Sequence, residues 1–289
     1  MFDENFTEIT SFQAHSDFIN RIKLISNGYV ATASADFTVK IWNISSITTW
    51  SLVQTYRNHT DDVYGLEYIN EDTMSSGSLD NTIQIWSIST GLTNKTFSTN
   101  TDVWSLHLLS NGFQLAAGLG NGYINIYNIN TGIKIKTLNG HVGCVFDLAQ
   151  VNNDILASSG SHPDKMVRIW NLTENTLMFN LTGHNESVCG LKKITPDLLA
   201  SGSTDNTINL WNITDGTLIR TLRNHTRAVA WSIDLLNSEL IVSAAGDSTI
   251  KIWKWNTGEV LNTINVNLTI RALTVLNSTQ TSKLCITMI

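Results

Sequence analysis

"SGSTDNTINLW", residues 201 to 211, sets Ser201, Asp205 and Trp211 within eleven positions, and His184 stands a short way upstream. Serine, histidine and aspartate so close together are the parts of a nucleophilic site, and they are equally the parts of a structural hydrogen-bond device. The number of copies decides between the two. "SADFTVKIWNI" (34 to 44), "SLDNTIQIWSI" (78 to 88), "SHPDKMVRIWNL" (161 to 172) and "AGDSTIKIWKW" (245 to 255) repeat the pattern. The aromatic residues Trp42, Trp86, Tyr127, Trp170, Trp211 and Trp253 follow one another at 44, 41, 43, 41 and 42 residues. His15, His59, His141, His184 and His225 keep the same beat, each 21 to 23 residues ahead of an aspartate. A catalytic triad serves one substrate at one place, so five matched sets point to structure.

The residue types suit that role. Tryptophan can only donate, ionised aspartate can only accept, and serine and neutral histidine can do both, so the four can form an ordered relay with few buried polar groups unpaired. Removing one member strands its neighbour at a cost of about 1–3 kcal/mol. "NTINLW" and "FTVKIW" alternate polar and apolar side chains with the period of a sheet, and the Asp-Asn and Asp-Ser pairs ahead of them suit tight turns. Each repeat holds about four short strands, such as "SVCGLKKI", "LLASGS", "TINLWNI" and "LIRTLRNH". The chain reads as all-β, and the period matches one four-stranded propeller blade.

These motifs resemble the WD-repeat family of β-propellers over essentially the whole chain. The resemblance implies a relay in which the indole N–H donates to the Ser or Thr oxygen, that hydroxyl to the histidine, and the histidine to the aspartate of the turn. Carried over residue by residue, the sets are His15, Thr32, Asp36 and Trp42; His59, Ser76, Asp80 and Trp86; His141, Asp164 and Trp170 with Ser159; His184, Ser201, Asp205 and Trp211; and His225, Ser243, Asp247 and Trp253. The third repeat has Thr99, Ala117, Asn121 and Tyr127 at these places, so its relay is expected to be absent as a unit, leaving packing to hold the blade. A single domain spanning 1–289 is expected, with repeats at about 14–57, 58–98, 99–139, 140–182, 183–223 and 224–264, and a seventh from 265–289 with 1–13. That makes a seven-bladed β-propeller of four-stranded antiparallel blades. Its seventh blade joins the two termini, with "FTEITSF" (6 to 12) outermost, and is short of a strand.

Composition narrows the function. The chain of 289 residues is 42% hydrophobic, carries a formal charge of −6 and scatters its Lys and Arg, so no basic stripe offers itself to nucleic acid. No apolar run approaches the roughly 20 residues of a bilayer span, and "MFDENFTEIT" lacks the signature of a signal peptide, which points to the cytoplasm or nucleus and away from membranes. Cys144, Cys189 and Cys285 have no metal or disulfide spacing. The eleven Asn-x-Ser/Thr sequons reflect an Asn-, Ser- and Thr-rich composition unless the protein is secreted. "GLGNG" (118 to 122) lacks the lysine and helix of a phosphate loop, His107 and His162 have no ligand partners at metal spacing, and no cofactor is expected.

What remains is a non-enzymatic scaffold that binds proteins or peptides, a monomeric propeller within a larger complex. Two alternatives stand beside it: a secreted glycan-binding or hydrolytic propeller, motivated by the sequons and tryptophans, and the sensor module of a larger protein. In the WD-repeat family the residue after the first apolar position of each inner strand tends to line the channel mouth. Here those residues are Asn20, Tyr64, Trp104, Phe146, Cys189, Trp231 and Arg271, flanked by Phe18, Asp62, Asp102 and Ser187. Aromatic anchors beside carboxylates suit a peptide with a basic side chain. The competing reading, in which the rings merely fill the channel, is decided by whether they are accessible from one face.

Overall fold

The computed structural model describes residues 13–25, 28–46, 50–228, 232–266, 269–277 and 282–288, and every regular element among them is a β-strand. Blade 1 contains β1 (Ile19–Leu24), β2 (Tyr29–Ser34), β3 (Val39–Asn43) and β4 (Ser51–Tyr56). Blade 2 contains β5 (Val63–Asn70), β6 (Thr73–Ser78), β7 (Thr82–Ser87) and β8 (Thr93–Ser98). Blade 3 contains β9 (Val103–Leu108), β10 (Gln114–Leu119), β11 (Tyr123–Asn128) and β12 (Lys134–Asn139). Blade 4 contains β13 (Val145–Asn152), β14 (Ile155–Gly160), β15 (Val167–Asn171) and β16 (Thr176–Leu181). Blade 5 contains β17 (Val188–Thr195), β18 (Leu198–Ser203), β19 (Thr207–Asn212) and β20 (Thr217–Arg223). Blade 6 contains β21 (Ile233–Leu235), β22 (Leu240–Ala244), β23 (Thr249–Lys254) and β24 (Glu259–Asn265). These six are four-stranded antiparallel meanders, and β25 (Ile270–Asn277) pairs with β26 (Ser282–Met288) in a two-stranded sheet. Residues 6–12, the expected outermost strand of a seventh blade, lie outside the described residues.

Apolar layers fill the seams between neighbouring sheets. Val39, Ile41 and Ala33 of blade 1 pack on Val63, Leu66 and Trp86 of blade 2, and the same kind of layer recurs at each seam through blade 6. Blade 6 packs on Ile270, Leu273 and Val275 of β25, whose Ala272 and Leu276 reach Ile22 and Val30 of blade 1. The two-stranded sheet therefore stands between blades 6 and 1. A blade is covered on both faces near the channel, which explains why second strands such as "LLASGS" are buried at every position while the outer β20 is mostly exposed. It also explains the small residues of the second strands: a Cβ on Gly77 would lie 2.4 Å from Val103 Cγ1 of the next blade.

One irregularity recurs. In all six blades the third and fourth strands slip register at the Trp or Tyr position, as between Ile41 and Trp42 or Leu210 and Trp211, a bulge that re-aims the large ring. The turn before each third strand places one residue at positive φ: Phe37, Asn81, Gly122, Lys165, Asn206 and Ser248. Asn and Gly tolerate this region, and a bulky ring does not. Phe37, at φ 66 and exposed, makes no use of its apolar surface there, so Phe37→Asn should stabilise the protein by about 1 kcal/mol, read as a higher midpoint in a denaturant titration. An unchanged or lower midpoint would show that the ring contributes contacts which outweigh the strain.

Candidate functional site

The relay side chains meet in the structure. His15 Nε2 lies 2.7 Å from Thr32 Oγ1 and its Nδ1 2.9 Å from Asp36. His59 reaches Ser76 and Asp80 at 2.8 and 2.7 Å, His184 reaches Ser201 and Asp205 at 2.8 and 3.0 Å, and His225 reaches Ser243 and Asp247 at 2.8 and 2.9 Å. Trp42, Trp211 and Trp253 each donate the indole N–H to the same hydroxyl, at 2.9, 2.7 and 2.8 Å. Trp86 departs from this: its N–H has no hydrogen-bond partner among the described residues, and its ring stacks on Tyr56 at 4.6 Å instead.

In blade 4 the expected Ser159 is replaced by its neighbour. Ser158 Oγ accepts from Trp170 Nε1 at 2.8 Å and lies 2.6 Å from His141 Nε2, while His141 Nδ1 contacts Asp164. Successive strand residues face opposite sides, so Ser159 points away, and its hydroxyl is buried without a partner among the described residues. The longer turn "SHPDKM" spoiled the count back from Trp170. A further member went unnoticed in the sequence: Thr38, Thr82, Thr207 and Thr249, two residues after each aspartate, donate to its second oxygen at 2.5, 2.6, 2.6 and 2.7 Å. The repeated Asp-x-Thr was the available signal. Blade 4 has Met166 there, and Arg168 Nη2 takes over the same oxygen of Asp164 at 3.1 Å.

These environments set the charges. Burial works to raise the Asp36 and Asp80 carboxyls, but hydrogen bonds from Thr38 and His15, and from His59 and Thr82, hold both at about 2. Asp205 and Asp247 are held below the usual range in the same way. Burial pushes His15, His141 and His225 down despite their aspartates, so the neutral Nδ1–H tautomer donates to the carboxylate and Nε2 accepts from the hydroxyl. Blade 3 has no such chain. There the Thr99 hydroxyl faces the carbonyls of Asn81 and Thr101 at 2.7 and 2.6 Å, Asn125 donates to the Tyr127 hydroxyl at 3.1 Å, and Phe97 stacks on Tyr127 at 5.7 Å.

The relay turns also orient the inner strands. Backbone N–H groups of Ala35, Leu79, Gly120 and Thr204 donate to the carbonyls of Phe18, Asp62, Asp102 and Ser187, which puts those four residues at equivalent places on the relay face. Just inside them, Tyr64 and Trp104 have ring centroids 4.6 Å apart, and Trp104 meets Phe146 edge-on at 5.1 Å. All three rings are half-buried. Arg271 stacks its guanidinium on Phe18 at 3.9 Å and donates to Asn20 Oδ1 at 3.2 Å, and Asn20 in turn donates to Val63 O at 3.3 Å. Asp62 beside them has its carboxyl pushed up by burial and by Asp61 and Asp17, with Arg271 opposing. Cys189 is buried and offers the mouth no surface, and Trp231 lies outside the described residues.

One residue closes this mouth from below. Arg21 of blade 1 crosses the channel to pair with Asp147 of blade 4 at 3.1 Å, and its other nitrogens donate to Tyr64 O and Phe146 O at 3.4 and 3.3 Å. Further polar links bridge the seams: Ser105 Oγ to Val145 O at 3.0 Å, Leu191 N to Asp147 at 2.8 Å, and Ser232 Oγ to Arg271 O at 2.9 Å. None of these carried a sequence signal, because each joins residues about forty or more positions apart. Among the described residues no group of three or more His, Cys, Asp or Glu side chains is placed to hold a metal.

Fold and relay together define a β-propeller with a tied Trp, Ser or Thr, His and Asp set in most of its blades. Residues 6–43, 50–87, 132–171, 175–212 and 216–254 match the family model for the WD domain, G-beta repeat, and the chain belongs to that family. The unmatched stretch between 87 and 132 contains the third strand set with Thr99, Ala117, Asn121 and Tyr127. The chain is 37% identical over 116 residues to the WD repeat-containing protein slp1 of Schizosaccharomyces pombe, covering 38% of this chain and 22% of that one. It is 32% identical over 111 residues to the APC/C activator protein CDH1 of Saccharomyces cerevisiae, 38% of this chain and 19% of the relative. With the anaphase-promoting complex subunit cdh1 of Dictyostelium discoideum it shares 39% identity over 101 residues, 34% and 13% of the two chains. The matched region thus spans about a fifth or less of the relatives' length.

Two outcomes follow from the relay. His184→Ala strands Ser201 and Asp205 and should cost about 1–3 kcal/mol, and Trp211→Phe should cost more than Trp86→Phe, because only Trp211 makes the hydrogen bond. Equal losses for the two tryptophans in urea titrations would contradict this. Acid should destabilise in two stages. Histidines with lowered folded pKa values lose stability as pH falls below about 6.5, where the unfolded chain binds more protons. Aspartates held at about 2 lose theirs between about 4 and that value. Melting midpoints from pH 7.5 downward check both, and a midpoint flat to pH 4 would refute the histidine stage.

Proposed function

We propose that this chain is a non-enzymatic protein-interaction platform whose channel mouth binds a peptide or partner domain. The observation that carries the reading is the half-buried row of Tyr64, Trp104 and Phe146 on the relay face, flanked by Arg271 on Phe18 and by Asp62 and Asp102. Rings that only filled the channel would be buried on all sides; these are half-buried, and Arg21 spans the channel beside them. A basic side chain lying on the rings and pairing with Asp62 satisfies both features of the wall. The likeness to an APC/C activator and to subunits of the anaphase-promoting complex favours a partner within a multi-protein assembly of that kind. The Ser, His and Asp sets serve the fold: five of them exist, and their polar atoms are spent on one another.

We further propose that β25 and β26 are the first strands of a seventh blade in one domain and that residues 6–12 supply its outermost strand. The other four family matches begin at or just before an outer strand of one blade and run through three strands of the next, so the match that begins at residue 6 supports the assignment. With fewer hydrogen-bonded neighbours, β25 and β26 should exchange amide hydrogens before β18 and β19; equal protection would remove the argument that closure is the weak point.

The mouth is tested by Trp104→Ala and Tyr64→Ala, expected to lose partners recovered by quantitative affinity purification from native cells while keeping the parental melting midpoint. Trp211→Ala should do the reverse, lowering the midpoint by several degrees at about 2–4 °C per kcal/mol. Full partner recovery with both mouth variants would move the interface to the rim or the opposite face.

A further inference from the structure

Beyond the Arg21 brace the channel continues as a chamber of about 640 Å³, lined by the later halves of the inner strands and lying toward the face opposite the mouth. Tyr64, Trp104, Phe146 and Arg271 are not part of it, so it is a separate space. Its wall is built from ion pairs with a consistent direction. Lys23 pairs with Glu67 at 2.6 Å, and the lysine side chain is 34% exposed against 9% for the carboxylate. Lys192 pairs with Asp234 at 2.5 Å, with 36% against 14%. In both pairs the ammonium is the more exposed partner, and Glu67 and Asp234 line the chamber beside it.

The hydrogen-bond inventory points the same way. Asp147 spends one oxygen on Arg21 and the other on Leu191 N. Asp234 spends one on Lys192 and the other on Val275 N and Thr274 Oγ1, at 3.0 and 3.4 Å. An ammonium carries three donors, and the carboxylate contact uses one of those on Lys23 and one on Lys192. His107 accepts from Gln150 N at 3.2 Å through Nε2, which leaves its proton on Nδ1 as a donor. Lys193 also lines the chamber and makes no ion pair among the described residues. Spare donors remain on Lys23, His107 and Lys192 of blades 1, 3 and 5, while the acceptors of Asp147 and Asp234 are occupied and Glu67 spends one oxygen on Lys23.

We propose that this chamber binds a compact, multiply charged phosphate anion of the oligophosphate or polyol-phosphate class, held by Lys23, Lys192 and His107. The spare N–H donors of two ammonium groups and one imidazole around a single chamber suit an anion with oxygens on all sides, and the paired carboxylates aim the lysines. The proposal is independent of the mouth, since none of its residues belongs to the peptide reading.

Isothermal titration of the full chain with orthophosphate, tripolyphosphate and inositol hexakisphosphate tests it. Affinity should rise with anionic charge, and which of the two larger anions binds more tightly distinguishes a linear from a cyclic ligand. Lys23→Met combined with Glu67→Gln, and separately Lys192→Met combined with Asp234→Asn, remove an ammonium donor without leaving a buried carboxylate unpaired. Each pair of changes should weaken binding at least about tenfold, while Lys134→Met on the outer edge and Trp104→Ala at the mouth should leave it unchanged. Melting curves identify a double variant that fails to fold, in which case the other pair decides. No binding by the parent up to about 1 mM anion, or binding by both double variants as tight as the parent's, would overturn the proposal.

Discussion

A histidine with one ring nitrogen on a hydroxyl and the other on a carboxylate is the tie on which each relay-bearing blade depends. The hydroxyl belongs to the second strand, the carboxylate to the turn before the third, the indole to the third strand itself, and the histidine to the segment entering the blade. One side chain therefore fixes the relative position of parts that the antiparallel ladder alone would leave free to twist. The direction of donation is forced at both ends, because indole cannot accept and carboxylate cannot donate. Blade 3 has exchanged every member and satisfies its polar groups locally, through Thr99 on carbonyls and Asn125 on Tyr127, whereas blade 2 keeps the histidine, serine and aspartate tied while Trp86 N–H has no partner among the described residues.

Between blades the chemistry changes. Blades 1 to 6 share no sheet with one another, so their seams rest on apolar layers and on a few polar links near the channel. Arg21 is the longest reaching of these. Its guanidinium joins blade 1 to blade 4 and, in the same fork, holds the backbone of Tyr64 and Phe146, the two residues that enclose Trp104. Packing and mouth geometry are thereby linked through one side chain, which divides the channel into an aromatic recess on the relay face and a chamber lined by ion pairs beyond it.

How much of this the sequence revealed follows from the range of each interaction. The relay was legible because its members recur at fixed spacing, and repetition separates signal from accident. Ser158 was missed in favour of Ser159 because a strand reverses its faces at every residue, so one extra residue in a turn defeats counting. Asp-x-Thr was visible, but its aspartate was assigned to the turn and its threonine to the alternating strand, so the bond between them went unread. The Arg21 brace, the Lys23 and Lys192 pairs and the Asp147 contacts occur once each and span from about forty to over a hundred positions; nothing periodic announces them, and only closure of the ring brings them together. The mouth lay between these cases. Aligning the inner strands on the pattern that the WD-repeat resemblance implies put Tyr64, Trp104 and Phe146 at equivalent positions, but their mutual contact, and the capture of Arg271 by Phe18, depend on ring geometry.

The blade without a relay carries the central ring of the mouth. Trp104 lies on β9 of blade 3, while Tyr64 and Phe146 lie on blades 2 and 4, each fixed by its own histidine and by the carbonyl contact to Arg21. Trp104 is thus placed by two restrained neighbours rather than by its own blade, and its indole N–H is buried without an acceptor among the described residues. A relay in blade 3 would fix the turn beside Asp102 as firmly as the others; without it that turn is held by the Gly120 to Asp102 backbone bond and by packing. Trp104 is the one ring of the three that meets both of the others. A ligand that reorients Trp104 has to displace ring contacts, each worth about 0.5–1.5 kcal/mol, rather than break a buried relay.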